Sequence, residues 1–273
     1  MSPGSRPGTT RRLRELWATR KILALLVRRD IKVRYADSVL GYVWSVLDPL
    51  LMSMVYFVVF TMIFQRTVGA DPYILFLICA LLPWSWFSGG VTDTGKALRS
   101  EARLVRSTRL PREIWVLKAV CAKGAEYVFS LPVLAVFAAA YGVAPRWEIV
   151  YMPLAMLLQA VLLLGIGFVL APLYVLVRDT ERVVKIAIRF LFYGSPIIYG
   201  LSDVIGTTML PLWAQTLYQF NPMAGILGLY RAAFFGGQIH WSAVGIGAGV
   251  SVLVLVSGWA MFRRLEPSVL KEI

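Results

Sequence analysis

Ile149-Val-Tyr-Met-Pro-Leu-Ala-Met-Leu-Leu-Gln-Ala-Val-Leu-Leu-Leu-Gly-Ile-Gly-Phe-Val-Leu-Ala-Pro-Leu-Tyr-Val-Leu-Val177 runs for 29 residues without a charge. As a helix it would measure about 44 Å at 1.5 Å per residue. About 20 apolar residues cross a bilayer core ~30 Å thick, so this stretch predicts a membrane span. Similar stretches lie at 43–65 (broken by Asp48), 73–92, 115–141 (charge-free from Tyr127, with Trp115 to Glu126 as a cytoplasmic extension) and 241–262. A less regular one at 183–201 holds Lys185, Arg189 and a Ser195-Pro196 break. The whole chain is 58% hydrophobic and 16% charged over 273 residues, against about 25% charged in ordinary soluble domains. A soluble fold cannot hide that much apolar surface. Disorder is excluded by the same figures, and a nucleic-acid-binding domain by the apolar runs that interrupt the basic residues.

The net charge of +13 sorts by connection. Of 28 Lys and Arg, 25 fall in the N-terminal segment, the second-to-third connection, the fourth-to-fifth connection and the tail. Arg66, Arg146 and Arg231 fall on the opposite side. Basic connections stay cytoplasmic, so the expected fold is an all-α membrane protein with six spans and both termini inside. The expected parts are an N-terminal tail with an interfacial helix (1–42), a transmembrane domain (43–262) and a cytoplasmic tail (263–273).

Residues 204–230 lack charge but carry Thr207, Thr208, Pro211, Gln215, Gln219, Asn221 and Pro222. A seventh span here would put Arg263 and Arg264 outside. The segment is therefore expected to be a re-entrant outer hairpin within 204–235, its second helix capped by Asn221 with Pro222 at the first helical position. Trp213, Tyr218 and Phe220 suit its membrane interface. Residues 11–34 place Leu16, Leu23, Val27 and Ile31 near helical spacing among cations, which predicts a helix lying on the membrane. The first 20 residues lack the apolar core of a signal peptide.

Catalytic chemistry is hard to assemble from these residues. His240 is the one histidine, and Cys79 and Cys121 have no metal-ligand spacing and are expected to be buried free thiols. Lys123 with Glu126, and Glu181 with Lys185, are expected to pair along helices. Gly90-Val-Thr-Asp-Thr-Gly95-Lys96-Ala97 approaches a phosphate loop but has Ala97 where a Mg²⁺-binding hydroxyl belongs. Gly245 and Gly249 are candidate helix-packing residues. A membrane-embedded glycosyltransferase or lipid-modifying enzyme is an alternative of another class. It would need outer acids or His gathered into one site, whereas Asp71, Glu148, Asp203 and His240 lie in separate connections.

Arg29-Asp30-Ile-Lys32-Val-Arg34-Tyr35-Ala-Asp-Ser38-Val-Leu40-Gly41-Tyr42-Val-Trp44-Ser-Val-Leu-Asp48-Pro49-Leu50 resembles the opening segment of ABC type-2 permeases that export polysaccharides such as O-antigen, capsule, teichoic acid and cell-wall glycans. Leu81-Leu82-Pro83-Trp84 with Phe87-Ser88, Leu110-Pro111-Arg112-Glu113-Ile114, Ser195-Pro196-Ile197-Ile198-Tyr199, Asn221-Pro222 and Arg231 agree in order. Asp48 departs from the family, which often has Asn before that Pro. The resemblance implies a homodimeric channel with two ABC ATPase subunits docked on the cytoplasmic face. ATP and Mg²⁺ would then sit on the partner, this chain holding no cofactor and no metal. It also implies that segment 99–113 couples to the ATPase, with Arg103, Leu104, Val105, Arg106, Arg109, Pro111, Arg112 and Glu113 as contacts. An ABC type-2 permease for a drug or a simple lipid would share this architecture.

A sliding glycan needs aromatic faces that hold sugars without register. Tyr56, Phe60 and Phe64 recur at intervals of four, and Phe190 and Tyr193 sit on the fifth span with Ile197, so these are the expected channel residues. A polyprenyl-diphosphate carrier would bring negative charge to the inner leaflet, where Arg28, Arg29, Lys32 and Arg34 could receive it; membrane lipids in general could do the same. The hairpin, with Trp213, Tyr218, Phe220, Asn221 and Pro222, is the expected outer gate. Arg outnumbers Lys by 21 to 7, which suggests a high-G+C genome and a galactan-like glycan.

Overall fold

A computed structural model describes residues 9–35, 43–63, 69–108, 110–208 and 210–272. Among them all the regular secondary structure is helical. In order the helices are α1 (Thr9–Ala18), α2 (Arg20–Tyr35), α3 (Val43–Phe57), α4 (Tyr73–Ser100), α5 (Ala102–Ser107) and α6 (Glu113–Ala140). They continue with α7 (Met152–Leu176), α8 (Thr180–Tyr193), α9 (Leu201–Ile205), α10 (Leu212–Gln219), α11 (Pro222–Ala232) and α12 (Trp241–Glu272). A π-helical run at Val58–Ile63 extends α3, and a 3₁₀ turn at Trp147–Tyr151 leads into α7.

Among the described residues four helices are long and apolar enough to cross a membrane: α4, α6, α7 with its leading turn, and α12; Leu47–Ile63 is a shorter apolar helix. The fifth expected span is only partly helical. α8 stops after 14 residues at Gly194, and the chain around Ser195-Pro196 is a buried, non-helical stretch. Proline cannot donate to the helix ladder, and the residue before it is driven out of helical geometry.

α4 is the central element, packed between α6 and α7, with α12 laid along α7 and α11 wedged against α12, α7 and α4. Leu75 to Leu82 of α4 are at most 4% exposed. Between helices in lipid, burying apolar surface gains little, because the lipid tails are equally apolar; close backbone approach and dispersion decide the association. α7 and α12 meet at Gly165 and Gly258. A Cβ on Gly165 would lie 2.5 Å from Leu255 N, and one on Gly258 would strike Gly165 O. Gly245 and Gly249, expected to pack, face open space. Hydrophobic repeat alone does not say which small residues face a neighbour.

The other expectations sort as follows. Gly90 and Gly95 sit within α4 and admit Leu163 and Tyr174 of α7, so the near-miss phosphate loop is a helix-packing surface. Cys79 is buried, whereas Cys121 is exposed, because it lies on the outward face of α6. α12 continues through the expected tail to Glu272, and at 32 residues it measures about 48 Å, longer than a bilayer core. The N-terminal helix is two helices that break at Thr19, and α2 packs on α6.

Candidate functional site

α3, α4, α6 and α8 enclose a cleft of about 730 Å³. One wall is aromatic: Tyr56 of α3 stacks on Phe192 of α8 at 5.9 Å, and Trp84 of α4 meets Phe192 edge-on at 5.6 Å. Tyr193 and Leu81 complete that part. Toward the end that carries the basic connections, the lining changes to Asp48, Ser88, Thr92, Asp93, Lys123, Lys185 and Arg189. α8 shows how its sequence makes such a wall. Lys185, Ile188, Arg189, Phe192 and Tyr193 recur at three and four residues and so share one face, polar near the start and aromatic near the end. Pro49, buried in α3, is followed by Ser53, whose hydroxyl donates to Leu50 O at 2.8 Å.

Of the expected channel residues, Tyr56 and Tyr193 line the cleft. Phe60 lies beside it, packed 6.4 Å from Tyr56 and 6.5 Å from Tyr73. Phe190 does not join them: it is 76% exposed on the opposite side of α8, since a residue two positions from Ile188 turns away from its face. Ile197 is fully buried beyond the helix break. Phe64 lies outside the described residues. Trp84 and Phe192 were missed; Trp84 stood in the Leu81-Leu82-Pro83-Trp84 motif, and Phe192 follows Ile188 at four.

Below the cleft, ion pairs hold α2 in place. Lys118 Nζ donates to Asp30 Oδ1 at 2.8 Å and to Glu101 Oε1 at 2.9 Å. Arg34 donates to Asp93 Oδ2 at 2.8 Å and Asp30 Oδ2 at 3.1 Å, and lies 3.3 Å from Glu126. Lys123 donates to Glu126 at 2.7 Å, the expected pair; Lys185 lies 2.9 Å from Glu181, the second. Burial works against the Asp30 charge, but the Lys118 hydrogen bond and the charges of Lys118 and Arg34 outweigh it and hold its carboxyl below the ordinary range. Against burial, the charge and hydrogen bond of Asp93 and the charges of Glu126 and Asp30 hold the Arg34 guanidinium above its ordinary value. Of the four expected carrier-binding cations, Arg34 is thus engaged by carboxylates and Arg29 lies 3.5 Å from Glu101. Arg28 and Lys32 are exposed.

The expected coupling segment is likewise divided. Arg103 and Arg106 of α5 are exposed, and Leu104 and Pro111 are half-buried. Val105 is fully buried against Leu98, Trp115, Phe262 and Val269, so it faces the bundle and cannot meet a partner. Glu113 is also fully buried: Arg12 of α1 donates to it at 2.7 Å and to Glu266 of α12 at 2.8 Å. Arg112 donates to Thr108 O and Leu110 O, closing the turn that leads into α6. Arg109 lies outside the described residues.

At the other end, α10 and α11 lie within 204–235, and α9 leads into them. Asn221 caps α11, its Oδ1 accepting from Met223 N at 3.0 Å, while its Nδ2 donates to Gly194 O and Ser195 Oγ; Pro222 follows at the first position. Trp213 and Phe220 are exposed. Tyr218 Oη lies 3.0 Å from Tyr199 Oη, which donates to Tyr193 O at 2.7 Å. Arg231, counted as an outer-connection charge, is instead 1% exposed. It donates to the carbonyls of Pro196, Ile197 and Tyr199 and sits 3.6 Å above the Phe76 ring. These contacts supply acceptors to a buried cation and donors to a stretch of chain that has no helix ladder of its own. Its place after Asn221-Pro222 among the motifs that agree in order was the signal in the sequence.

Residues 22–235 match the family described as ABC-2 type transporter. The chain is 31% identical over 246 residues to the O-antigen export system permease protein RfbA of Klebsiella pneumoniae, covering 90% of this chain and 92% of that one. It is 31% identical over 259 residues to the protein of the same name from Myxococcus xanthus, covering 94% and 97%. It is 22% identical over 254 residues to the polysialic acid transport protein KpsM of Escherichia coli, covering 90% and 93%.

Proposed function

We propose, for a chain that belongs to the ABC-2 type transporter family, that it is the permease subunit of an exporter moving a lipid-linked polysaccharide across the cytoplasmic membrane. The permease carries no ATPase site of its own, and a separate ABC ATPase supplies ATP hydrolysis with its Mg²⁺. The observation that carries the reading is the cleft, in which an aromatic wall of Tyr56, Trp84, Phe192 and Tyr193 continues from a cationic end. Aromatic faces stack on sugar rings without reading their order, and the charged end suits an anionic carrier head.

In this reading two copies assemble with their α3 and α8 faces toward a shared path. α8 buries only Val184 against its own chain, and α3 leaves Leu51, Met52, Met54 and Val55 exposed, which supports such an assembly. Six crossings result when α8 is continued by the buried stretch 195–201. The exposed Arg103 and Arg106 of α5 meet the ATPase, and Arg12 ties that segment to the last helix through Glu113 and Glu266. Arg28 and Lys32 meet anionic headgroups at the inner leaflet. The hairpin α9–α11 forms the outer gate, linked to α8 through Tyr218, Tyr199 and the Tyr193 carbonyl. The glycan is O-antigen-like or a cell-wall galactan.

Depletion of the protein tests this directly. Cells should accumulate one lipid-linked glycan on the cytoplasmic side while its surface form disappears. Unchanged surface glycan, with loss of a different exported compound, would overturn the reading.

A further inference from the structure

We propose that the cationic end of the cleft is a seat for a glycosyl diphosphate, with Arg189 and Lys185 of α8 as its donors and Asp48 of α3 as the group that orients it. The inference rests on the export reading above and assigns the carrier-binding role to residues other than the N-terminal cations.

Three observations carry it. First, Arg34 is already satisfied by Asp93, Asp30 and Glu126, and releasing it would undo the docking of α2. Arg189, by contrast, is exposed into the cleft, and Lys185 is 61% exposed and held only at the rim by Glu181. An exposed lysine exchanges such a partner at little cost, because ion pairs in solvent contribute about 0–1 kcal/mol. Second, spacing on α8 fits the ligand. Arg189 and Tyr193 are one turn apart, about 6 Å along the axis, close to the reach from a diphosphate to the ring of the first sugar it carries. A headgroup on Arg189 therefore places that sugar on the Tyr193 and Phe192 faces. Third, the cleft is not uniformly cationic. Asp93 is occupied by Arg34 at 2.8 Å, but Asp48 lines the α3 wall, exposed. Its charge repels a diphosphate from α3 and favours the α8 side, where Arg presents a fork that matches phosphate oxygens in pairs. Phospholipid heads share the phosphate chemistry but have no pyranose for the aromatic part of the wall.

The experiment uses the permease reconstituted with its ATPase in nanodiscs. The probes are a short-chain isoprenyl-diphosphate-linked monosaccharide, phosphatidylglycerol and inorganic diphosphate, and the readout is Kd. The double variant Lys185→Gln/Arg189→Gln should bind the sugar diphosphate at least tenfold more weakly, with phosphatidylglycerol affinity unchanged. Asp48→Asn should bind it more tightly, a gain that misfolding cannot produce. Equal losses for the sugar diphosphate and phosphatidylglycerol would mean a general anionic-lipid surface and overturn the proposal. So would unchanged binding in both variants, or tight binding of inorganic diphosphate alone. If wild-type protein exports glycan in cells while the variants bind normally, only the seat is wrong; if wild type neither binds the probe nor exports glycan, the export reading fails with it.

Discussion

Lys118 Nζ lies 2.8 Å from Asp30 Oδ1, joining α6 to a helix 88 residues earlier in the chain. Lys118 is 7% exposed and also holds Glu101, at the start of the coupling segment. One ammonium thus fixes the N-terminal helix and the end of α4 to the same point of α6. Together with Arg34, which reaches Asp93 and Glu126, it makes α2 part of the bundle rather than a loosely attached flank.

The Asp30 carboxyl, held below its ordinary value of 3.8, makes α2 docking sensitive to acid. A depressed carboxylate contributes stability that is complete above the unfolded value and fades as pH falls through the folded one. Amide exchange protection of 20–35 should therefore stay flat from neutral pH to about pH 4 and fall below it. Asp30→Asn should lower protection at neutral pH and flatten the acid response; a wild-type acid response retained in that variant would refute the assignment.

Arg231→Lys should not substitute for arginine. A lysine ammonium cannot reach the carbonyls of Pro196, Ile197 and Tyr199 with the planar fork that now serves them. Each buried carbonyl left without a donor costs about 1–3 kcal/mol. The melting temperature in detergent should drop for Arg231→Lys and for Arg231→Met alike, and surface glycan should be lost in both. A lysine variant with wild-type melting would show the clamp to be dispensable.

At the α7–α12 crossing, Gly165→Ala should destabilise the bundle by about 1–3 kcal/mol, the usual range for overpacking, because its Cβ would meet the Leu255 backbone at 2.5 Å. Gly249→Ala, which faces open space, should melt as wild type does. Equal melting of the two variants would mean the helices can shift apart freely.

Tyr193→Ala should slow glycan export, and Phe190→Ala should leave it unchanged. Aromatic stacking contributes about 0.5–1.5 kcal/mol per pair, which is about two- to tenfold in rate. The measurement is the rate of surface glycan appearance after induction. A stronger effect from Phe190 than from Tyr193 would place the path on the other face of α8.

Much of the site was legible because it follows from periodicity and motif. Tyr56 and Tyr193 were found from aromatic spacing, Asn221 from its place before Pro222, and Lys123–Glu126 from an interval of three. Phe190 was misplaced because a helix in a membrane can be apolar on both sides, so hydrophobicity does not separate the face that lines a cleft from the face that meets lipid. The same ambiguity hid Gly165 and Gly258 behind Gly245 and Gly249. Arg231 was read as a surface charge because charge counting assigns a residue to a side and not to a depth.

Sequence by itself determined the class of the protein, its basic and neutral sides and the family motifs, since these depend on local composition and on the length needed to cross a bilayer. Tertiary structure decided which charges are free. Lys118, Arg34, Arg12 and Arg231 find carboxylates or carbonyls tens to hundreds of residues away. Lys185 and Arg189 are left facing the cleft. Pairing across such separations depends on how α2, α4, α6 and α12 pack against one another, which no local pattern of residues specifies.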